Sequence, residues 1–366
     1  MTRLQRSNHP SARPSADEPT TSRIILYSAI AAVALALSGG CVDDPLGFDD
    51  RPIDSLEQVT IGGVDQWILI RGEDRSKPVL LVLHGGPGTP LTPWVDMFQP
   101  SELEENFVVV HWDQRGAGKS FDDDLPPSAM MIDDYVEDTL ELANRLRVRF
   151  LEDKIYLTGI SWGSALGFMT VMRDSEPFHA LIAAGERVHW RRSQQMSFDW
   201  VKYQAVQAGN GEILTALASI EPFEPDNFDH LVLKNQGLTY FGGGDFHTPG
   251  LFDEYLEYAL TGQSPYYTDA DVENYMAGRE RSLAAVLPQA FGYDLFRDFP
   301  VSPIPVHFLV GEFDNETPSE LSHEYFHSLR APAKTFTVIP GAGHDLIRER
   351  PSAWANALIS IARDTR

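Results

Sequence analysis

The chain has 366 residues, 43% of them hydrophobic and 22% charged, with 25 Pro and 28 Gly, an ordinary globular usage that argues against a disordered, collagenous or coiled-coil protein. Its 29 Lys and Arg stand against 53 Asp and Glu, and the resulting net charge of −24 repels phosphate backbones and speaks against sequence-independent nucleic-acid binding. The single cysteine allows no intrachain disulfide and no multi-cysteine metal site.

Reading from the N-terminus, Ile24 to Ser38 form an uncharged, mostly apolar run, preceded by Arg3, Arg6, Arg13 and Arg23 and followed by Gly39, Gly40 and Cys41. At 15 residues the run has signal-peptide length, shorter than the roughly 20 residues of a membrane span. It resembles a bacterial lipoprotein signal, which implies that Cys41 is lipidated and becomes the mature N-terminus in the cell envelope. The alternative is an uncleaved anchor from Ile24 to Val42. Removing residues 1–40 takes away those four arginines with Asp17 and Glu18, and the remaining 326 residues carry a charge of −26. Residues 41–54 are rich in Asp and Pro, without periodicity, and read as a linker.

The folded part then begins. Glu57 to Ile61 and Gln66 to Arg71 read as a hairpin around Gly62, Gly63, Val64 and Asp65. Apolar runs at Val79 to Leu83 and Phe107 to Val110, without alternation, suit parallel strands buried on both faces. Further strands are predicted at Lys154 to Thr158, Ala180 to Ala184, Val306 to Val310 and Thr335 to Ile339. Val136, Leu140, Ala143 and Leu146 mark one face of a helix. Alternating strand and helix predicts a mostly parallel α/β sheet of eight strands, its core split into residues 55–185 and 301–366. Between them, residues 186–300 lose the strand pattern and hold 19 aromatic, 17 acidic and 8 basic residues. This stretch reads as an inserted helical cap.

Gly159, Ser161 and Gly163 spell G-x-S-x-G directly after one predicted strand and before a helical stretch. A sharp strand-to-helix turn needs glycines at the flanks and pushes the serine hydroxyl out at a helix N-terminus, which marks Ser161 as a nucleophile. A base and an orienting carboxylate should follow in the order acid, then histidine. Asp314 and His344 each fall just past a strand's C-terminal end, the edge that also carries the serine turn. Glu312, Glu316 and Asp345 are neighbouring carboxylates that could compete with Asp314. The oxyanion needs the N–H of Trp162 and one from HGGPG, His84 to Gly88, supplied by Gly86 or else Gly85. Asp122 to Asp124 read as a solvated acidic loop and no metal or other cofactor is expected.

HGGPG, DQRGAGKS (Asp113 to Ser120), GISWGS, GEFDNETP and GAGHD together resemble the proline iminopeptidase branch of the α/β-hydrolase family, from about Glu57 to the C-terminus. The resemblance implies the α/β-hydrolase fold with its cap, and Asp113, Gln114 and Arg115 as structural supports of the site. It also implies cap carboxylates that bind the substrate's ammonium, with Glu186 as one candidate. The expected activity is release of an N-terminal residue, proline among the candidates, from small peptides through an acyl-enzyme. The alternatives are an esterase or lactonase with the same triad, and a surface-anchored binding protein that has lost catalysis. Epoxide hydrolases and dehalogenases of this fold place Asp where this chain has Ser161. The expected partners are a small peptide or ester, with no nucleic acid and with membrane contact only through the N-terminal anchor.

Overall fold

The computed structural model describes residues 51–365; the apolar run read as a signal, Cys41 with its expected lipidation, and most of the segment read as a linker lie outside the described residues. Eight strands form one sheet in the order β1-β2-β4-β3-β5-β6-β7-β8. They are β1 Ile53–Ile61, β2 Val64–Gly72, β3 Val79–Leu83, β4 Val108–Asp113, β5 Ile155–Ile160, β6 Phe178–Ala184, β7 Val306–Gly311 and β8 Lys334–Ile339. β1 pairs antiparallel with β2 and β2 with β4, and every other neighbouring pair is parallel. β1 begins at Ile53, two residues inside the segment assigned to the linker, because Ile53 is buried and pairs with Gly72. The hairpin is also tighter than expected. Gly62 and Gly63 alone make the turn, with φ of +55° and +75°, the left-handed pair that matches strand twist in a two-residue loop.

Thirteen helices are described: α1 Val95–Phe98, α2 Ser101–Asn106, α3 Ile132–Phe150, α4 Trp162–Arg173, α5 Trp190–Ala208, α6 Gly211–Ala218, α7 Phe228–Tyr240, α8 Leu251–Leu260, α9 Asp269–Ala290, α10 Leu295–Asp298, α11 Ser319–Ser328, α12 Leu346–Glu349 and α13 Pro351–Asp364. Successive side chains of a strand face opposite ways, and β3 divides accordingly between two cores. Val79, Leu81 and Leu83 pack with Val136, Leu140 and Leu146 of α3 and Leu321 and Tyr325 of α11. Leu80 and Val82 pack on the other face with Phe98 of α1, Leu103 of α2 and Trp354 and Leu358 of α13. The result is a three-layer sandwich whose parallel strands present their C-terminal ends at one edge.

Helices α5 to α10 fill the connection from β6 to β7. The chain enters and leaves this insertion side by side, Trp190 N–H donating to Tyr293 O (3.0 Å) and Leu295 N–H to Val188 O (2.8 Å). Its middle is sewn to the catalytic edge through the Gly-rich segment at residues 242–250. Asn315 N–H donates to Gly243 O (2.9 Å), His344 N–H to Gly244 O (3.0 Å) and Asp345 N–H to Asp245 O (2.8 Å). Glu349 accepts from the N–H groups of His247 (3.1 Å), Thr248 (2.5 Å) and Gly343 (2.6 Å). On the opposite side α9 is tied down by Lys119 on Asp271 (2.7 Å). Among the described residues no helix is long and apolar enough to cross a membrane.

Candidate active site

Ser161 sits between β5 and α4 at φ +55° and ψ −115°, a conformation that a non-glycine residue holds only under strain from its surroundings. The flanking glycines are sterically required. A β-carbon on Gly159 would stand 2.4 Å from the Gly163 carbonyl, and one on Gly163 only 2.1 Å from Leu83 O. Trp162 is the first residue of α4, so its N–H has no partner within the helix.

The HGGPG loop runs beside this turn. A β-carbon on Gly85 would lie 3.6 Å from the Ser161 β-carbon. His84, 1% exposed, accepts from Gln114 N–H at Nε2 (3.3 Å), so its proton sits on Nδ1, which donates to Gly85 O (2.8 Å). Thr89 N–H donates to the same oxygen (3.3 Å). Because C=O and N–H of one peptide unit point in opposite directions, the Gly86 N–H is turned away from His84. Burial pushes His84 down to about 4, which keeps it neutral in this bridging role.

His344 and Asp314 come together from two loops 30 residues apart, His344 Nδ1 donating to Asp314 Oδ2 at 2.9 Å. Thr317 fixes the carboxylate with its N–H on Oδ1 (2.8 Å) and its hydroxyl on Oδ2 (2.6 Å). Both residues are buried, at 4% and 3% exposure. Burial would depress the imidazole, but the charge and hydrogen bond of Asp314, with Asp245 and Glu316 nearby, outweigh it and raise His344 to about 9. The rival carboxylates are engaged elsewhere. Glu312 accepts from Gly341 N–H (2.8 Å), Asp345 pairs with Arg348 (2.5 Å), and Glu316 pairs with Arg187 (2.7 Å) and Lys234 (3.2 Å). Burial alone would raise Glu316, yet Lys234 and Arg187 hold it well below the usual carboxylate range.

Glu186 follows Gly185, where a β-carbon would stand 3.0 Å from the His344 ring. Only 1% exposed, it accepts from the Tyr293 hydroxyl (3.2 Å) and leaves its other oxygen unpartnered. Burial pushes it up to about 8, against the pull of the Tyr293 hydrogen bond and the Arg187 charge. Asp113, Gln114 and Arg115 are buried and internally bonded. Asp113 accepts from Thr92 (2.5 Å) and the Tyr267 hydroxyl, Gln114 accepts from Trp162 Nε1 (3.0 Å), and Arg115 grips Asp138 twice at 2.6 Å. In the acidic loop Asp122 accepts from Asp124 N–H (2.9 Å) and Asp123 pairs with Arg281 (3.1 Å).

Sequence reasoning missed Asp245. Its backbone carbonyl is pinned by the Asp345 N–H beside His344, while its side chain is exposed and makes no hydrogen bond or ion pair among the described residues. Although the residue keeps solvent-exposed surface, the protein packed around its carboxylate desolvates it and raises its pKa; Asp345 and Glu316 add to this, and His344 and Arg348 pull the other way. An acidic residue set among glycines in an otherwise helical stretch, GGGDF, was the available signal.

Residues 79–357 match the Alpha/beta hydrolase family. The probable aminopeptidase YbaC of Bacillus subtilis is 29% identical over 318 residues, which cover 86% of this chain and 98% of that protein. The proline iminopeptidase of Xanthomonas citri is 32% identical over 114 residues, 31% of this chain and 34% of its own. Among solved structures, the proline iminopeptidase of Mycobacterium smegmatis superposes with a TM-score of 0.62 at 18% identity, covering 85% of this chain and 98% of the other. An esterase of Thermogutta terrifontis reaches 0.55 at 20% identity over 85% and 99%, so the structural likeness carries the fold alone. With the family matched across most of its length, the chain belongs to the α/β hydrolases and is an enzyme of that family.

Proposed function

We propose that this hydrolase is a serine aminopeptidase that releases the N-terminal residue, proline included, from small peptides. Ser161 Oγ attacks the substrate carbonyl and gives its proton to His344 Nε2, left free because Nδ1–H is held by Asp314. The oxyanion rests on the N–H groups of Trp162 and Gly86, with Gly85 the alternative donor. His344 then passes the proton to the leaving amine, and water releases the acyl group from Ser161 by the same route reversed.

The observation that carries the aminopeptidase reading is the free carboxylate of Asp245. Burying an ammonium without a counter-charge is expensive, and Asp245 is an acceptor whose side chain makes no hydrogen bond or ion pair among the described residues, fixed through its own backbone to the His344 loop. The near full-length likeness to a probable aminopeptidase supports the same reading. The test compares aminoacyl coumarin amides with and without an N-acetyl group. Acetylation should lower kcat/KM at least tenfold, on the order of 1.4 kcal/mol, and Asp245→Asn should erase most of that discrimination. Equal rates on both substrates would overturn the proposal. Ser161→Ala should abolish turnover and fluorophosphonate labelling while the protein still folds, and activity retained by that variant would overturn the triad.

A further inference from the structure

Helix α11 carries His323 and His327 one turn apart, and positions i and i+4 of a helix are neighbours on its surface. Both are exposed, and their Nε2 atoms stand 3.2 Å from one another. Two imidazole nitrogens bound to one divalent transition metal at about 2.05 Å each and separated by this distance would subtend about 100° at the ion, between octahedral and tetrahedral geometry. The rings are buttressed before any ion arrives. His323 meets Phe336 edge-on with centroids 5.1 Å apart, and His327 meets Phe326 at 5.4 Å.

We infer that His323 and His327 form a surface site for a divalent transition metal, chelated through both Nε2 atoms with water completing its shell. Among the described residues no third histidine, cysteine or carboxylate joins the pair, and neighbouring Glu324 is held by Arg192 (2.6 Å). Two neutral imidazoles suit copper, nickel and zinc, whereas calcium and magnesium require oxygen ligands. Without metal, one ring's Nε2–H donates to the other's Nε2. With both Nε2 atoms on the ion, the donor ring carries its proton on Nδ1, so the neutral pair releases no proton. The site stands apart from Ser161, Asp314 and His344 in the catalytic reading and does not depend on it.

The experiment titrates the untagged, full-length protein with copper, nickel and zinc chlorides, following heat and melting temperature. The expected result is one ion per chain, copper tightest by the general order of affinities, with an upward shift in Tm. His327→Gln, an exposed and conservative change, should weaken binding at least tenfold. His323→Ala with His327→Ala should remove both the heat and the Tm shift while metal-free hydrolysis of a p-nitrophenyl ester stays unchanged. Equal binding by wild type and the double variant, or no binding by wild type, would overturn the inference.

Discussion

His84→Ala separates what holds the oxyanion loop from what holds the fold. The histidine bridges two loops through Gly85 O (2.8 Å) and Gln114 N–H (3.3 Å). Its removal leaves a buried backbone N–H without a partner, at about 1–3 kcal/mol, and deletes a hydrogen bond worth about 1 kcal/mol. A stability loss of about 3 kcal/mol by urea titration is therefore expected. The catalytic loss should be smaller than the full effect of deleting an oxyanion donor, about 10²–10³ in kcat, because Thr89 N–H still holds the Gly85 carbonyl at 3.3 Å. About a tenfold fall in kcat is expected, near 1.4 kcal/mol. KM should barely move, since the oxyanion exists only beyond the ground state. Steady-state kinetics on a p-nitrophenyl ester, normalised to fluorophosphonate-titrated sites and run well below the melting temperature, measure both terms. A kcat within twofold of wild type, or a loss confined to KM, would refute the assigned orientation of the Gly86 N–H.

The pH dependence carries its own sign. His344 must be deprotonated to act as base, and its rise to about 9 places the acidic limb of kcat/KM on a neutral ester above pH 7, with activity climbing towards pH 9. Asp245→Asn removes a negative charge that favours the imidazolium and should move that limb to lower pH in the rate profile. For Asp138, burial outweighs the pull of Arg115 and raises its pKa, while Asp138 in turn raises that of Arg115; breaking the pair leaves the buried guanidinium, among the described residues, with only Ala129 O (2.7 Å) and the longer pair to Asp134 (3.7 Å). Asp138→Asn should destabilise the protein by about 3–5 kcal/mol in urea, and a loss below about 1 kcal/mol would contradict the structural role of the Arg115 loop. The lipoprotein reading predicts that wild type made in a bacterial host fractionates with membranes and lacks its first 40 residues, whereas Cys41→Ser does not follow it. Membrane-bound Cys41→Ser with an intact N-terminus, like wild type, would mean an uncleaved anchor.

Continuous apolar runs at Val79 to Leu83 and Val306 to Val310 marked strands because a parallel strand buried on both faces has no polar side, a property written in a few consecutive residues. The serine turn was local at Gly159, whose missing β-carbon leaves room for the Gly163 carbonyl within five residues of chain, whereas Gly163 is required by the approach of Leu83 O from a distant strand. Asp314 and His344 were legible as loop residues after strands. The short helices α1 and α2 carry too few turns for periodicity to show, and nothing local says which of Glu312, Asp314, Glu316 and Asp345 faces the imidazole. That choice is made by Gly341, Thr317, Arg187, Lys234 and Arg348, which take up the others or fix Asp314. Asp245 depends still more on closure of the fold, because its place beside His344 rests on backbone bonds to a loop about 100 positions later. Hydrophobic period and turn sterics act between near neighbours and are read from sequence. The partner of a charged group is settled only when distant segments meet, and there the tertiary structure alone decided which carboxylate stayed free.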